Sequence, residues 1–411
     1  MGLHPLRGFL LLLVMIVLLV RTEGEQSQGS GTFCLTIAGI KTCQNSSDIR
    51  LSRLQGKQVG DVQGVVAQEG RVLKLKTVSQ KPLVIEIPEF LTAEECDHFI
   101  ETAHQEGLKD SVTTDSSGHN KDGFKLMDKD RDKKLSVNEM RLTIESGMDI
   151  YPDREDILKM YADTGLDKDG DEQISAEELK DFSPADLMQY FNEFLQQQPE
   201  KHSRFSKQVW LFPDNSKDRV FDQVQDRVSR AVDLPIELIK MSDFQVVTYG
   251  VKGHYNAHYD SSEVNDKIPC CTRRRTRQCR ICRYMTVLFY LSDVEGGGET
   301  AFPLAGNDIV DMVRVQDEQL MNLYKKCSDA NLHVTPAKGK AIIWYNHQVD
   351  PDTGWLGAMD KYTYHGGCPV TTGTKWIANF WIKTTDNKLE DLHRMIQFAK
   401  LNNGLKQKDE L

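Results

Sequence analysis

Three groups of residues in the C-terminal half of the chain have the types and spacing of a metal site. They are His258-Tyr259-Asp260, then His365, then Lys375 ten residues further on. Two imidazoles and one carboxylate can hold Fe(II) on one face and leave the other coordination positions open for a substrate and dioxygen. A lysine after the second histidine can pair with a distant carboxylate of a co-substrate. The spacing therefore indicates an iron site beside a site for an organic acid.

The secondary structure around these residues decides whether they indicate a metal site, because His-x-Asp also occurs by chance in surface turns. Four apolar runs are typical of strands, and the first of them leads to the triplet. These runs are residues 244–249, 283–291, 341–345 and 374–381. Strand alternation puts Lys375 on the same face as Ile377 and Asn379. A lysine on an apolar face needs a partner, since burying an unpaired charge is costly, and a ligand carboxylate would supply it.

Longer stretches around the same residues carry a family resemblance. They are YGVKGHYNAHYDS, RYMTVLFYLSDVEGGGETAFP, KGKAIIWYN and HGGCPVTTGTKWIANFWI. Across residues 83–383 the chain resembles the prolyl 4-hydroxylases. It resembles most the transmembrane branch, which also carries EF-hands, and the collagen-type branch, whereas the oxygen-sensing branch has arginine in place of Lys375. The resemblance implies an α+β fold, in which a double-stranded β-helix (jelly roll) carries an inserted all-α pair of EF-hands.

The resemblance also implies roles for individual residues. His258, Asp260 and His365 would be the iron ligands, and Lys375 would bind the 5-carboxylate of 2-oxoglutarate. The remaining residues of the co-substrate pocket would be Tyr249, Thr286 and Tyr290. The implied reaction is hydroxylation of a peptidyl proline at C4, with Fe(II), 2-oxoglutarate and dioxygen, and with ascorbate (vitamin C) restoring oxidised iron.

An acidic insert over residues 111–205 contains two candidate calcium loops. The side chains at positions 1, 3, 5, 9 and 12 and the backbone carbonyl at position 7 would bind the ion. These ligands are Asp128, Asp130, Asp132, Ser136, Glu139 and Lys134 in the first loop, and Asp167, Asp169, Asp171, Ser175, Glu178 and Gln173 in the second. Position 6 needs a positive φ and usually carries glycine, whereas these loops have Lys133 and Glu172, which should weaken binding. The alternative is an acidic helix pair that binds no calcium.

Composition and targeting signals limit the partners and the cellular location that we expect for the protein. The net charge of −10 argues against nucleic acid as a partner. The apolar run at residues 9–20 is shorter than the ~20 residues that span a bilayer, so residues 1–24 are predicted to be a signal peptide, with a short signal anchor as the alternative. We expect no stable membrane span. The final four residues, KDEL, form a retrieval signal that the KDEL receptor binds, so the expected location is the lumen of the endoplasmic reticulum.

The nine cysteines suit an oxidising compartment and include at least one free thiol. Cys34 is expected to pair with Cys43, and Cys327 with Cys368. Cys96 lies on a helical face and is expected to be a buried thiol. One of three cysteines is expected to pair with Cys282, namely Cys270, Cys271 or Cys279. Residues 45–47 form a glycosylation sequon, Asn-Ser-Ser.

These signals predict five parts of the chain. They are the signal peptide (1–24), an N-terminal segment (25–81), the dioxygenase (82–110 and 206–385), the EF-hand insert (111–205), and a C-terminal helix with its tail (386–411). Two other functions are considered: a lumenal calcium-binding protein with an inactive dioxygenase scaffold, and a lysyl hydroxylase. The complete set of iron and co-substrate residues argues against the first, and the arginine that lysyl hydroxylases use in place of Lys375 argues against the second. The protein substrate and the oligomeric state, including a homodimer, stay open.

Overall fold

The structure is a computed structural model that describes residues 31–67, 70–111, 123–180, 182–213, 218–263 and 282–409. The predicted signal peptide, the last two residues of the tail, and Cys270, Cys271 and Cys279 lie outside the described residues. In the described part no helix is long and apolar enough to cross a membrane.

Strands make up most of the chain outside the insert. In chain order they are β1 (Thr32–Ile37), β2 (Ile40–Asn45), β3 (Val62–Val66), β4 (Val72–Gln80), β5 (Leu83–Ile87), β6 (Lys109–Asp110), β7 (Lys134–Leu135), β8 (Ile174–Ser175), β9 (Arg204–Phe205), β10 (Lys207–Leu211), β11 (Phe244–Tyr249), β12 (His254–His258), β13 (Cys282–Tyr290), β14 (Gly296–Gly297), β15 (Thr300–Phe302), β16 (Leu332–Val334), β17 (Ala341–Tyr345), β18 (His347–Val349), β19 (Leu356–Met359), β20 (His365–Gly367), β21 (Val370–Thr372) and β22 (Lys375–Thr384).

The helices fall into two groups, those beside the sheets and those of the insert. In chain order they are α1 (Ala93–Glu106), α2 (Gly123–Met127), α3 (Val137–Met148), α4 (Arg154–Thr164), α5 (Ala176–Lys180), α6 (Pro184–Gln197), α7 (Arg219–Val232), α8 (Ile236–Ile239), α9 (Met312–Asp317), α10 (Leu323–Lys326) and α11 (Lys388–Asp409). The insert contains α2 to α6.

Two facing antiparallel sheets form the body of the molecule, consistent with a jelly roll. Within the described residues the larger sheet has the order β3-β4-β5-β17-β13-β22-β11-β10-β6, and the smaller has the order β16-β15-β20-β12-β9. Alternate residues of a strand point to opposite faces of its sheet. Val287 and Phe289 of β13 therefore pack with α1, α7 and α11, while Leu288 and Tyr290 point towards the smaller sheet. The groove between the sheets is thus lined by alternate residues of the central strands.

The N-terminal segment is not the separate unit that the predicted boundary at residue 82 implies. β4 pairs with β5, and β3 pairs with β4, so both extend the larger sheet. Leu73 and Leu75 of β4 are buried in the same core as the central strands. The physical reason is that burying the apolar face of β4 requires an existing sheet beside it.

Several local contacts stabilise the fold, and the disulfide pairings predicted for Cys34 and Cys327 are confirmed. Thr92 and Glu95 form the reciprocal capping box at the start of α1, in which each side chain accepts a hydrogen bond from the other residue's backbone N–H. The disulfides Cys34–Cys43 and Cys327–Cys368 are present, and Cys96 is a buried thiol. Cys282 is also disulfide-bonded.

The insert has its own apolar core and is tied to the smaller sheet. Its two loops meet where β7 pairs with β8. At its C-terminal end, β9 pairs with β12, the strand that carries His258. Asp153 of the insert forms an ion pair with Lys325 of α10. The insert therefore lies directly against the sheet that carries the candidate iron ligands.

Candidate active site

Strand pairing brings the two candidate histidine ligands together. His258 is the last residue of β12, His365 is the first residue of β20, and the two are direct partners across these antiparallel strands. Their ring centroids lie 4.7 Å apart. Asp260 follows β12 by two residues and turns back towards both rings. We refer to His258, Asp260 and His365 as the triad.

The hydrogen bonds of the two imidazoles prepare the triad for a metal ion. Nδ1 of His258 lies 2.9 Å from the Asn256 carbonyl oxygen, and Nδ1 of His365 lies 2.8 Å from the Thr363 carbonyl oxygen. Because a carbonyl only accepts, each Nδ1 carries a proton, and in the neutral form of each ring Nε2 then presents a lone pair. Those Nε2 atoms lie 3.8 and 3.7 Å from the Asp260 carboxylate oxygens. One ligand atom from each residue falls within 4.8 Å of the others, so the triad fits a divalent ion.

The charge states of the triad also suit a metal ion. Burial lowers the pKa of His258 to about 3, and the neighbouring His365 acts in the same direction. For Asp260, burial raises the pKa, but the charges of His365 and Arg283 outweigh it, so the pKa falls to about 2. At neutral pH the site therefore offers neutral imidazole and ionised carboxylate, which are the forms that bind metal.

Lys375 is a buried cation in the same groove. It is 2% exposed, and burial lowers its pKa to about 7. Its Nζ lies 5.3 Å from the ring centre of Tyr249 and 5.8 Å from that of Tyr290. Within the described part of the chain, Lys375 has no ion pair. A buried ammonium without a carboxylate is costly, which is the arrangement expected of a site that receives an anionic ligand.

Two glycines keep space open around Lys375. A Cβ at Gly367 would lie 3.6 Å from the Lys375 Nζ, and one at Gly298 would lie 3.3 Å from the Lys375 Cδ. Gly298 also has a φ of +76°, which side chains rarely adopt. A side chain at either position would narrow the pocket, so the residues present fit a small dicarboxylate bound by Lys375.

The three predicted pocket residues occupy two different places. Tyr249 and Tyr290 flank Lys375, as the co-substrate role requires. Thr286 instead donates its hydroxyl hydrogen to Asp260 Oδ2 at 2.7 Å. The resemblance implies a pocket-lining role for Thr286, which stays a prediction, and the structure adds its contact with the triad.

Sequence reasoning missed two arginines beside the triad. Arg283 Nη1 lies 3.6 Å from Asp260 Oδ1, and its guanidinium stacks 3.8 Å from the ring centre of Trp381. Arg204 lies 4.7 Å from the ring centre of Tyr255, and that ring stacks on His258 at 3.8 Å. Among the described residues the buried Arg204 Nη2 has no hydrogen-bond partner. Their one sequence signal is a cation at the start of an apolar strand.

Comparison with known proteins agrees with this geometry. The model of the 2OG-Fe(II) oxygenase superfamily matches residues 244–383, which contain the triad and Lys375. The human transmembrane prolyl 4-hydroxylase is 36% identical over 372 residues, covering 85% of this chain and 73% of that protein. The mouse protein is 36% identical over 371 residues, with the same coverage.

More distant relatives cover less of the chain. Prolyl 4-hydroxylase 5 of Arabidopsis thaliana is 32% identical over 191 residues, covering 46% of this chain and 57% of that protein. The solved structure of a viral collagen prolyl hydroxylase from Paramecium Bursaria Chlorella virus-1 is 21% identical and covers 74% of this chain and 96% of its own, with a TM-score of 0.35. On the extent of the match to the human and mouse proteins, the chain belongs to the prolyl 4-hydroxylase family of 2-oxoglutarate- and Fe(II)-dependent dioxygenases.

Proposed function

We propose that the protein hydroxylates peptidyl proline at C4, with Fe(II) bound by the triad and 2-oxoglutarate bound by Lys375. The observation that carries this proposal is a buried lysine, without an ion pair among the described residues, in the same groove as two imidazoles and a carboxylate that fit a metal ion. The bound iron and 2-oxoglutarate would supply the oxidation chemistry. The protein supplies binding, orientation and exclusion of water.

The residues around the groove divide the remaining work. Lys375 and Tyr249 would hold the distal carboxylate of 2-oxoglutarate. Arg283 would steady Asp260 through its contact with Oδ1. In the described part of the chain Arg204 Nη2 has no hydrogen-bond partner, which supports contact with a substrate, since a backbone carbonyl of a bound peptide could accept its hydrogen bond.

Peptide panels would test this function against its alternatives. The protein, with Fe(II), 2-oxoglutarate and ascorbate, would be incubated with peptides that contain proline or lysine as the only candidate side chain. We expect succinate release that depends on the proline peptides. Release with lysine peptides alone would favour a lysyl hydroxylase, and no release with any peptide would favour an inactive scaffold.

We also propose that the two loops of the insert are EF-hands that bind calcium. In each loop the carboxylates at positions 1, 3 and 12 place one oxygen apiece within 4.8 Å of the others. Among the described residues the buried Oδ1 of Asp128 has no hydrogen-bond partner, which a cation would satisfy. At position 6, Lys133 and Glu172 have φ values of 73° and 62°, so each loop makes the turn without glycine.

Calcium in the insert would influence the active site through direct contacts. Gln319 donates to Glu145 of the insert at 3.3 Å. Two residues further on, the Met321 carbonyl oxygen accepts from the N–H of Ala257, the neighbour of His258 in β12, at 2.8 Å. Tyr151 of the insert packs in one cluster with Tyr364, the residue before His365. We therefore propose that calcium changes peptide affinity as well as stability.

The lumen of the endoplasmic reticulum is the proposed location, with retrieval by the KDEL receptor. The disulfides support an oxidising compartment. Asn45 of the sequon is exposed at the end of β2, so a glycosyltransferase could reach it. Sensitivity of the cellular protein to endoglycosidase, together with its co-localisation with a lumenal marker, would test this location.

A further inference from the structure

A chain of buried hydrogen bonds runs from the core to the Asp260 carboxylate. Trp344 Nε1 donates to Asn346 Oδ1 at 3.0 Å, and Asn346 Nδ2 donates to Thr286 Oγ1 at 2.9 Å. Thr286 Oγ1 then donates to Asp260 Oδ2 at 2.7 Å. Trp344, Asn346 and Thr286 are each no more than 1% exposed, so water cannot replace these bonds. We call these three residues the relay.

The relay has one possible direction. The indole N–H of Trp344 is a donor only, so it turns the amide oxygen of Asn346 towards itself. The amide NH₂ of Asn346 is then left to face Thr286, whose oxygen must accept. The hydroxyl hydrogen of Thr286 therefore points to Asp260 and not away from it. Each bond fixes the next, and the carboxylate at the end is held as an acceptor.

The backbone holds the relay in place. Thr286 and Trp344 are direct partners across β13 and β17, so their side chains lie on the same face of the larger sheet. Asn346 follows β17, and its backbone donates to the Tyr284 carbonyl oxygen at 2.9 Å and accepts from Asp360 N–H at 2.8 Å. Trp344 also packs edge-on against the imidazole of His365, with centroids 4.5 Å apart. One tryptophan thus contacts one ligand directly and reaches a second through two side chains.

We propose that Trp344, Asn346 and Thr286 are positioning residues that orient the Asp260 carboxylate and thereby set the iron affinity of the triad. The inference rests on the proposed iron site. An ionised carboxylate can rotate and can bind a metal through one oxygen or two. The Thr286 hydroxyl donates to Oδ2, which lies 3.7 Å from His365 Nε2, while Oδ1 lies 3.8 Å from His258 Nε2. The hydrogen bond therefore fixes the rotation of the carboxylate, with one oxygen beside each imidazole, before the metal arrives.

Anaerobic calorimetric titration with Fe(II) would test the relay on the purified full chain. Thr286→Val keeps the shape of the side chain and removes the hydroxyl, and we expect about 10- to 100-fold weaker Fe(II) binding, as for other groups that orient metal ligands. Thr286→Ser keeps the hydroxyl and should restore the affinity. Trp344→Phe keeps a ring against His365 and removes the donor, so its loss should be smaller than that of Thr286→Val.

Matched controls separate positioning from packing. Thr384 is fully buried and, among the described residues, its hydroxyl has no partner, so Thr384→Val makes the same change away from the site. The buried Trp355 donates to Asp391 at 2.9 Å, so Trp355→Phe matches the tryptophan change. We expect both controls to shift melting temperature and leave Fe(II) affinity unchanged.

A double-mutant cycle gives the decisive outcome. Asn346→Leu acts on Asp260 through Thr286, so it should weaken Fe(II) binding alone and add nothing further in the Thr286→Val background. Equal Fe(II) affinity in wild type, Thr286→Val and Asn346→Leu would overturn the proposal, as would losses that simply add. If the wild type itself bound no Fe(II), the proposed iron site would fail, and the relay with it.

Discussion

The triad and the two loops of the insert are carboxylate-containing candidate metal sites whose side chains are held in place in different ways. In the triad, groups outside the site hold every ligand: the carbonyls of Asn256 and Thr363 fix the imidazoles, and Thr286 fixes Asp260. In the loops, the acidic side chains accept hydrogen bonds from the backbone of their own loop. Glu139 accepts from Lys129 N–H, and Glu178 accepts from Lys168 N–H. The side chains of the triad are therefore held by distant parts of the fold, whereas those of each loop are held by the backbone of the loop itself.

Removing a triad ligand should have the largest effect on activity. Asp260→Ala or His258→Ala should lower 2-oxoglutarate turnover more than about 100-fold, because groups that only orient ligands already cost 10- to 100-fold. The melting temperature should change little, since neither residue belongs to an apolar cluster of the core. Iron content, succinate release and thermal unfolding of each purified variant would check this. Full turnover in either variant would exclude the triad assignment.

Lys375→Ala should weaken binding of 2-oxoglutarate and leave Fe(II) binding unchanged. A buried charge-assisted bond contributes about 1.5–3 kcal/mol, so the KM for 2-oxoglutarate should rise about 10- to 100-fold. Fe(II) affinity should stay close to that of the wild type, since Lys375 is not a ligand. Steady-state kinetics and metal titration on the same preparation would show whether the KM for 2-oxoglutarate changes while the Fe(II) affinity does not. Lys383→Ala is a suitable control, because Lys383 lies on the same strand, where it pairs with Asp243 at 3.7 Å.

The pH dependence of co-substrate binding should follow Lys375. Its pKa is about 7 without ligand because the site is buried, and a bound carboxylate raises the pKa. A group whose pKa rises on binding contributes affinity that is complete below the free pKa and is lost as pH rises above it. Binding of 2-oxoglutarate should therefore weaken from about pH 7 upwards, by at most about tenfold per pH unit. An affinity that stayed constant between pH 7 and 9 would contradict this role.

Removing the proposed calcium ligands should have the smallest effect and should show that the triad does not depend on the loops. Glu139→Gln with Glu178→Gln removes the position-12 carboxylates that close each loop, so calcium should no longer raise the melting temperature. Fe(II) affinity in the double variant should match that of the wild type, since the triad is held by the sheets. Calorimetry with calcium and peptide kinetics would be compared in both proteins. Calcium heat without a change in peptide affinity would limit the insert to a structural role.

The sequence predicted those parts of the site that depend on local spacing. His258 and Asp260 lie two residues apart, and the strand pattern alone gave Lys375 its inward face. The Cys34–Cys43 disulfide was also predictable, because the two cysteines lie nine residues apart.

What the sequence did not predict depends on contacts between distant strands. The hydrogen bond from Asn346 to Thr286 joins residues 60 positions apart, and nothing in either strand marks the register that aligns them. Arg204 reaches the groove because β9, at the end of the insert, pairs with β12. The boundary between the C-terminal helix and its tail was not predicted either: α11 runs to Asp409, because good helix formers continue past Gly404 and each further residue adds a hydrogen bond.

The most direct test of the proposed prolyl hydroxylation follows both of its products in one reaction. The full chain, loaded with Fe(II) and 2-oxoglutarate in the presence of ascorbate, would be incubated with proline-containing peptides, and peptide mass and succinate would be followed together. The account predicts the addition of one oxygen to a proline for each succinate released, and neither product from Lys375→Ala at low 2-oxoglutarate. A protein that binds both Fe(II) and 2-oxoglutarate yet releases no succinate with any peptide of the panel would contradict it.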